Sequence, residues 1–241
     1  MNLQRSEAHV WRVDLSPRSD GPEHAILSPA ESARSDKFVR ISDRDHYIRS
    51  HVALRKILAI YVECNPARIE MEVSSEGKPR LAGTALRFNL SHSAHRALVA
   101  VTCDGEIGVD VEERREVRDY MNLAQQFCSL SEFQRLQQKP AAHQPLAFLT
   151  CWTRKEALLK ATGAGLRNLD QAEVGIDSDC SIVQTWHRNS TIEFQVQTLL
   201  HWPTDVVSVA APRTTSRMRF INCSWNSVTE GVSGSAADWP R

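Results

Sequence analysis

The residues Ile107-Gly-Val-Asp-Val-Glu112 alternate apolar and polar side chains as a half-buried strand does. Side chains two apart share a face, so Val109 and Val111 turn to the core while Asp110 and Glu112 stand together on the other side. Paired carboxylates repel each other, and a hard cation such as magnesium relieves that repulsion through oxygen ligands. Taken alone, an exposed polar strand face explains the pair better. Gly108 lies on the carboxylate face and would let a ligand approach closely. A second group lies between Phe148 and Lys160, where Leu149, Trp152, Glu156 and Leu159 form one helical stripe. A glutamate in so apolar a face is rarely buried unpaired. Lys160, one turn on, is either its structural partner or, if Glu156 is a third metal ligand, a group placed to meet a phosphate. Gly77-Lys-Pro-Arg80 is a basic turn. Asn89-Leu-Ser-His-Ser93 sets a histidine between serines that can donate to an anion. Each of these two also reads as an ordinary turn.

Several elements must position these groups. Ser28-Pro-Ala-Glu31 predicts a helix start with a capping box and proline at the first helical position. A second start at Ser42–Asp45 opens a helix with Tyr47, Leu54, Leu58 and Tyr61 on one stripe, ended by Asn65-Pro66. Between residues 34 and 56 lie seven Lys/Arg against Asp36, Asp43 and Asp45, with His46 and His51 adding basic character. A solvated face is the ordinary account of such charges, and an anion site the sharper one. Ile69, Met71 and Val73 alternate as a strand, and Ser74 to Pro79 reads as a turn. Arg87–Leu90 and Ala97–Val101 are expected strands joined around Ser91-His92-Ser93. Ser129-Leu-Ser-Glu132 is another capping box, and a long helix should run from about Pro145 to Thr162 and stop at Gly163. Ile192–Leu200 and Val206–Ala211 lean towards strand.

The chain has 241 residues, 41% hydrophobic and 24% charged, the composition of a soluble globular protein of one large or two small domains. Twenty-nine basic residues balance 29 acidic ones, which argues against a nucleic-acid partner. No stretch approaches a membrane span, and the N-terminus lacks a secretory core. Six cysteines with no Cys-x-x-Cys pair read as reduced, mostly buried thiols of a cytoplasmic protein.

In order and spacing, Gly77-Lys-Pro79, Phe88-Asn-Leu-Ser-His-Ser93, Ile107-Gly-Val-Asp-Val-Glu112 and Trp152-Thr-Arg-Lys-Glu-Ala-Leu-Leu-Lys160 resemble the Sfp-type 4′-phosphopantetheinyl transferases. The likeness runs from about Pro29 to Gly165. It implies an α+β pseudo-dimer of two similar halves with the active site at their interface. The halves expected are 1–104 on the coenzyme A nucleotide side and 105–226 on the magnesium and catalytic side, with 227–241 as a mobile tail. It implies a holo-carrier-protein synthase: the phosphopantetheine arm of coenzyme A moves to a serine of an apo acyl, polyketide or peptidyl carrier, and adenosine 3′,5′-bisphosphate leaves. Asp110, Glu112 and Glu156 would hold magnesium, or manganese, against the coenzyme A pyrophosphate. Lys160 would meet phosphate charge, and Glu156, directly or through water, is the candidate base. Lys78, Pro79 and Arg80 with Ser91 and His92 would line the nucleotide end, His92 and Arg34 at the 3′-phosphate. His46 falls where an arginine is usual and carries only part of a charge at neutral pH. Glu31 replaces a lysine of some members, so that contact is not carried over. The carrier would dock near Arg114 to Leu136, and the protein would be a monomer serving secondary metabolism. Two other readings compete: a magnesium hydrolase releasing phosphopantetheine to solution, and a binding module without turnover.

Overall fold

A computed structural model describes residues 1–16, 23–75, 77–163, 172–187, 190–199, 204–223 and 236–238. Two antiparallel-rich sheets, each backed by one long helix, build the α+β architecture. The first sheet has the order β11-β10-β1-β5-β4, with β1 Glu7–Asp14, β4 Arg87–Ser93, β5 Arg96–Thr102, β10 Arg217–Cys223 and β11 Ala236–Asp238. The second has the order β6-β9-β8-β7, with β6 Gly108–Glu113, β7 Cys180–His187, β8 Ser190–Leu199 and β9 Asp205–Pro212. A short ribbon pairs β2 Met71–Val73 with β3 Pro79–Leu81. Five α-helices and three short 3-10 turns complete the described elements, the α-helices being α1 Pro29–Ser35, α2 Ile41–Val62, α3 Tyr120–Phe127, α4 Leu130–Gln138 and α5 Gln144–Thr162.

The strand period of two sorts β1 and β5 between two cores. Trp11, Val13, Val99 and Val101 pack with Ile48, Val52 and Leu58 of α2. Ala8, Val10, Leu98 and Ala100 pack instead with Val109 and Val111 of β6 and Val207 and Val209 of β9. The two sheets therefore meet face to face through that second cluster. A third cluster joins α5 through Phe148 and Leu158 to Phe194 and Val196 of β8. Val109 and Val111 point away from α5, so the other face of β6, with Gly108 and Asp110, is turned towards it. β10 runs parallel to β1 and β5 antiparallel, so the chain returns after the second sheet to complete the first.

Both capping boxes form, at Ser28–Glu31 and Ser129–Glu132. α5 stops at Gly163, whose φ of 73° is free only to glycine. α2 begins at Ile41, without a side-chain cap, and ends at Val62 with Glu63 left-handed; Asn65 caps the following 3-10 turn. Ser91-His92-Ser93 is not a turn, because β4 continues through it and the chain reverses at Ala94-His95, with Ala94 at φ 47°. The tail expected over 227–241 lies outside the described residues apart from Ala236–Asp238, which add β11 antiparallel to β10. Among the described residues no helix is long and apolar enough to cross a membrane.

Gly108 makes room for protein rather than for a ligand, which corrects the sequence expectation. A Cβ there would lie 1.9 Å from the Ala157 carbonyl oxygen and 2.4 Å from the Ala161 amide nitrogen. Its bare backbone lets α5 lie directly on β6. Gly108→Ala is expected to cost about 1–3 kcal/mol by forcing the two apart. A lowered thermal midpoint checks this, and a midpoint equal to the parent's would refute the packing role.

Candidate active site

β4 of the first sheet and β6 and α5 of the second converge on Asp110. Its side chain is 7% exposed. Ser91 Oγ donates to Asp110 Oδ1 at 2.9 Å, and Lys160 Nζ donates to the same oxygen at 2.6 Å. Lys160 also donates to Ser91 Oγ at 3.0 Å, closing a triangle. One strand step on, Ser93 Oγ donates to Glu112 Oε2 at 3.2 Å. Asn89 Oδ1 accepts the Val109 amide at 2.9 Å, which holds β4 against β6 side chain to backbone. The serines beside the histidine thus donate to the protein's own carboxylates.

The electrostatics follow from burial. The Glu112 carboxyl is pushed above its ordinary value by burial and then by the Asp110 charge. The Glu156 carboxyl rises for the same two reasons, with Lys160 opposing. Lys160 is thus near Glu156, but its hydrogen bonds go to Asp110 and Ser91; the more deeply buried carboxylate takes them. Asp110 Oδ2 is buried with no hydrogen-bond partner. As a set the three carboxylates do not close to within 4.8 Å of one another. Three mutually repelling carboxylates around an unmet acceptor oxygen suit a hard divalent cation.

Beside this cluster a cleft of about 1160 Å³ opens between the helices α1 and α2 and the strands β3 and β4. Arg34, Pro79 and His92 line it, as does His51. His51 stacks on Tyr47 at 3.9 Å between ring centroids, and the Arg34 guanidinium lies 5.8 Å from the same ring. The imidazoles of His92 and His51 are both held below the ordinary value, first by burial. Lys160 and His46 lower His92 further. His51 and the aromatic face of Tyr47 were not singled out as site residues from the sequence; their four-residue spacing on one helix was the available signal.

Four expected nucleotide contacts are not among the residues lining the cleft, although His46 lies near enough to His92 to lower its imidazole. Lys78 is 8% exposed, and its ammonium contacts Glu106 at 3.0 Å, the Ile107 carbonyl at 2.8 Å and the Ala161 carbonyl at 3.1 Å. Those three acceptors match its three N–H bonds, so Lys78 is an interior tether. Arg80 donates to Glu106 at 2.5 Å. Ser91 turns to Asp110, and His46 contacts His95 at 3.2 Å. Glu31 completes its helix cap and pairs with Arg55 Nε at 2.7 Å, so a carboxylate there is structural.

Fold and site together define a two-half α+β protein whose halves meet at a carboxylate cluster beside a cleft. Residues 106–211 match the family model described as the 4′-phosphopantetheinyl transferase superfamily, and residues 21–104 match that described as 4′-phosphopantetheinyl transferase, N-terminal. The chain is 36% identical over 186 residues to the 4′-phosphopantetheinyl transferase HetI of Nostoc sp., covering 73% of this chain and 77% of that one. It is 31% identical over 165 residues to psf-1 of Bacillus pumilus, covering 65% and 70%, and 25% identical over 157 residues to Sfp of Bacillus subtilis, covering 64% and 69%. The chain belongs to the 4′-phosphopantetheinyl transferase family.

Proposed function

We propose that this protein transfers the 4′-phosphopantetheine arm of coenzyme A to a serine hydroxyl of an apo carrier protein and releases adenosine 3′,5′-bisphosphate. The observation that carries the reading is the Ser91–Asp110–Lys160 triangle, formed across the two halves beside Glu112, Glu156 and the cleft. In this reading residues 1–104 supply most of the nucleotide side and 105–226 the carboxylates, with β10 closing the first sheet.

The cleft takes the nucleotide end, with Pro79 on its wall and Arg34 and His92 towards the 3′-phosphate. Lys160 is 28% exposed in its side chain and pivots from Asp110 to the phosphate being attacked. Its charge neutralises the oxygens of the leaving bisphosphate. Glu156, its carboxyl raised by burial, is the base that takes the serine proton, directly or through a water. The serine oxygen bonds to the phosphorus next to the pantetheine, and the bond from that phosphorus to the bridging oxygen breaks. Asp110, Glu112 and Glu156 would hold magnesium or manganese, which when bound supplies Lewis-acid charge to the phosphate oxygens. The basic side chains Arg114, Arg115 and Arg118 offer an acidic carrier an attractive edge.

Mass spectrometry of a panel of apo acyl and peptidyl carriers, incubated with this protein, coenzyme A and magnesium, tests the reading. A carrier heavier by the phosphopantetheine arm supports it, and the pattern across the panel gives the specificity. Bisphosphate released equally with no carrier present would sink it in favour of a hydrolase. Absence of both products would leave a binding module.

The His92 imidazole gives a second, independent check. Because burial holds its value low, it is largely neutral in the free protein at pH 7. A phosphate dianion beside it raises that value, so binding takes up a proton. Coenzyme A should therefore bind more tightly as pH falls from the raised value of His92 in the complex towards its lowered value in the free protein. Dephospho-coenzyme A, and coenzyme A with His92→Ala, should show a flatter profile. Calorimetry in buffers of different ionisation enthalpy reads the proton directly. Equal pH dependence for both ligands would remove His92 from the 3′-phosphate.

A further inference from the structure

We propose that Cys128 and Cys151 are a reversible oxidation site, a dithiol that closes to a disulfide. Their sulfurs lie 3.6 Å apart in hydrogen-bond contact. They come from different elements: Cys128 ends α3 immediately before the cap of α4, and Cys151 lies in the middle of α5. Bonding requires the sulfurs to approach by about another 1.5 Å.

Glu132 is the third group of this cluster, all within 4.8 Å, and gives it the outline of a metal site. Its carboxylate is already committed. Oε2 accepts from the Ser129 amide at 2.8 Å and pairs with Lys155 Nζ at 2.8 Å, while Oε1 accepts from the Val174 amide at 2.8 Å. Two sulfurs are left, short of the four ligands that a structural zinc takes. Two thiols in contact, with no carboxylate to spare, are a redox pair.

The two thiols differ in a way that orders the chemistry. Cys128 is 8% exposed and Cys151 1%, so an oxidant reaches Cys128 first. The hydrogen bond from Cys151 holds the Cys128 thiol below its ordinary value, while Cys151 is pushed up. The oxidant we invoke is a peroxide. The Cys128 thiolate attacks one peroxide oxygen, the O–O bond breaks, and a sulfenic acid and water form. The Cys151 sulfur then displaces the hydroxyl from Cys128 as a second water, the two thiol protons ending in the two waters. Two electrons pass from the thiols to the peroxide, and a small thiol reductant reverses the step. Closure tethers the α3–α4 corner to α5, the helix that carries Glu156 and Lys160.

The test treats the full-length reduced protein with stoichiometric hydrogen peroxide. The protein is then alkylated under denaturing conditions and mapped without reductant. The expected result is a peptide pair joined through Cys128 and Cys151, lost again after dithiothreitol, together with a higher thermal midpoint for the oxidised protein. Cys151→Ser, which keeps a hydrogen-bond donor beside Cys128, should give no joined peptide and should instead accumulate a dimedone-reactive sulfenic acid at Cys128. The proposal is overturned if both residues remain fully alkylated while the exposed Cys64 and Cys180 are oxidised. It is also overturned if native mass spectrometry finds a metal ion whose removal is needed before the pair reacts.

Discussion

Asp110→Asn is expected to abolish transfer, with a loss in kcat of roughly a thousandfold or more, while the protein stays folded. The substitution keeps the size of the side chain and an oxygen for Ser91 and Lys160 at Oδ1, so the triangle across the halves survives in outline. What it removes is the charge at the buried centre of the cluster, including the unmet Oδ2. Two consequences separate this from a packing defect. The first is that Glu112 and Glu156 lose a neighbouring negative charge, so both carboxyls should titrate lower than in the parent, as carboxyl NMR would show. The second is that the magnesium concentration needed for half-maximal rate should rise. A variant with full activity and ordinary magnesium dependence would refute the assignment of Asp110 to the site. A variant that melts far below the parent would move Asp110 from chemistry to structure.

Features that depend on near neighbours were legible in the sequence. The capping boxes at Ser28 and Ser129, the end of α5 at Gly163 and the alternation of β6 all rest on spacings of a few residues. β1 was not legible. Its residues Ala8 and Val10 enter one core and Trp11 and Val13 another, so the apolar–polar alternation changes phase between Val10 and Trp11 and no single run is long enough to mark a strand. β10 was missed too, because its partner β1 lies at the other end of the chain. The carboxylates Asp110 and Glu112 were readable as a pair because a strand places them on one face. Their partners were not: Ser91 and Ser93 come from another sheet, and nothing local links them to β6. Gly108 illustrates how a correct residue can carry an incorrect role. Absence of a side chain signals close approach, but the sequence does not say what approaches.

Lys78→Met is expected to destabilise the protein by about 3 kcal/mol, and to change the Michaelis constant for coenzyme A little. A lysine in a Gly-Lys-Pro turn reads as a surface charge available to a phosphate. Here its ammonium is buried, and burial holds its value below the ordinary one against the pull of Glu106. The cost of that burial is offset by Glu106 and by the carbonyls of Ile107 and Ala161. Ile107 immediately precedes the strand of Asp110, and Ala161 immediately follows Lys160 on its helix. Lys78 therefore fixes where β6 begins and α5 ends, the two elements that carry the candidate site residues, from the turn of the β2–β3 ribbon. Methionine fills the same space but leaves those two carbonyls unmet, while Glu106 keeps Arg80. Urea denaturation should show a lower midpoint with an unchanged slope. Where the variant remains folded, kcat should fall as β6 and α5 lose their common anchor, and binding of coenzyme A should persist. The opposite pattern, a parent-like midpoint with a large rise in the Michaelis constant, would return Lys78 to the nucleotide and show that its ammonium leaves the interior when ligand arrives.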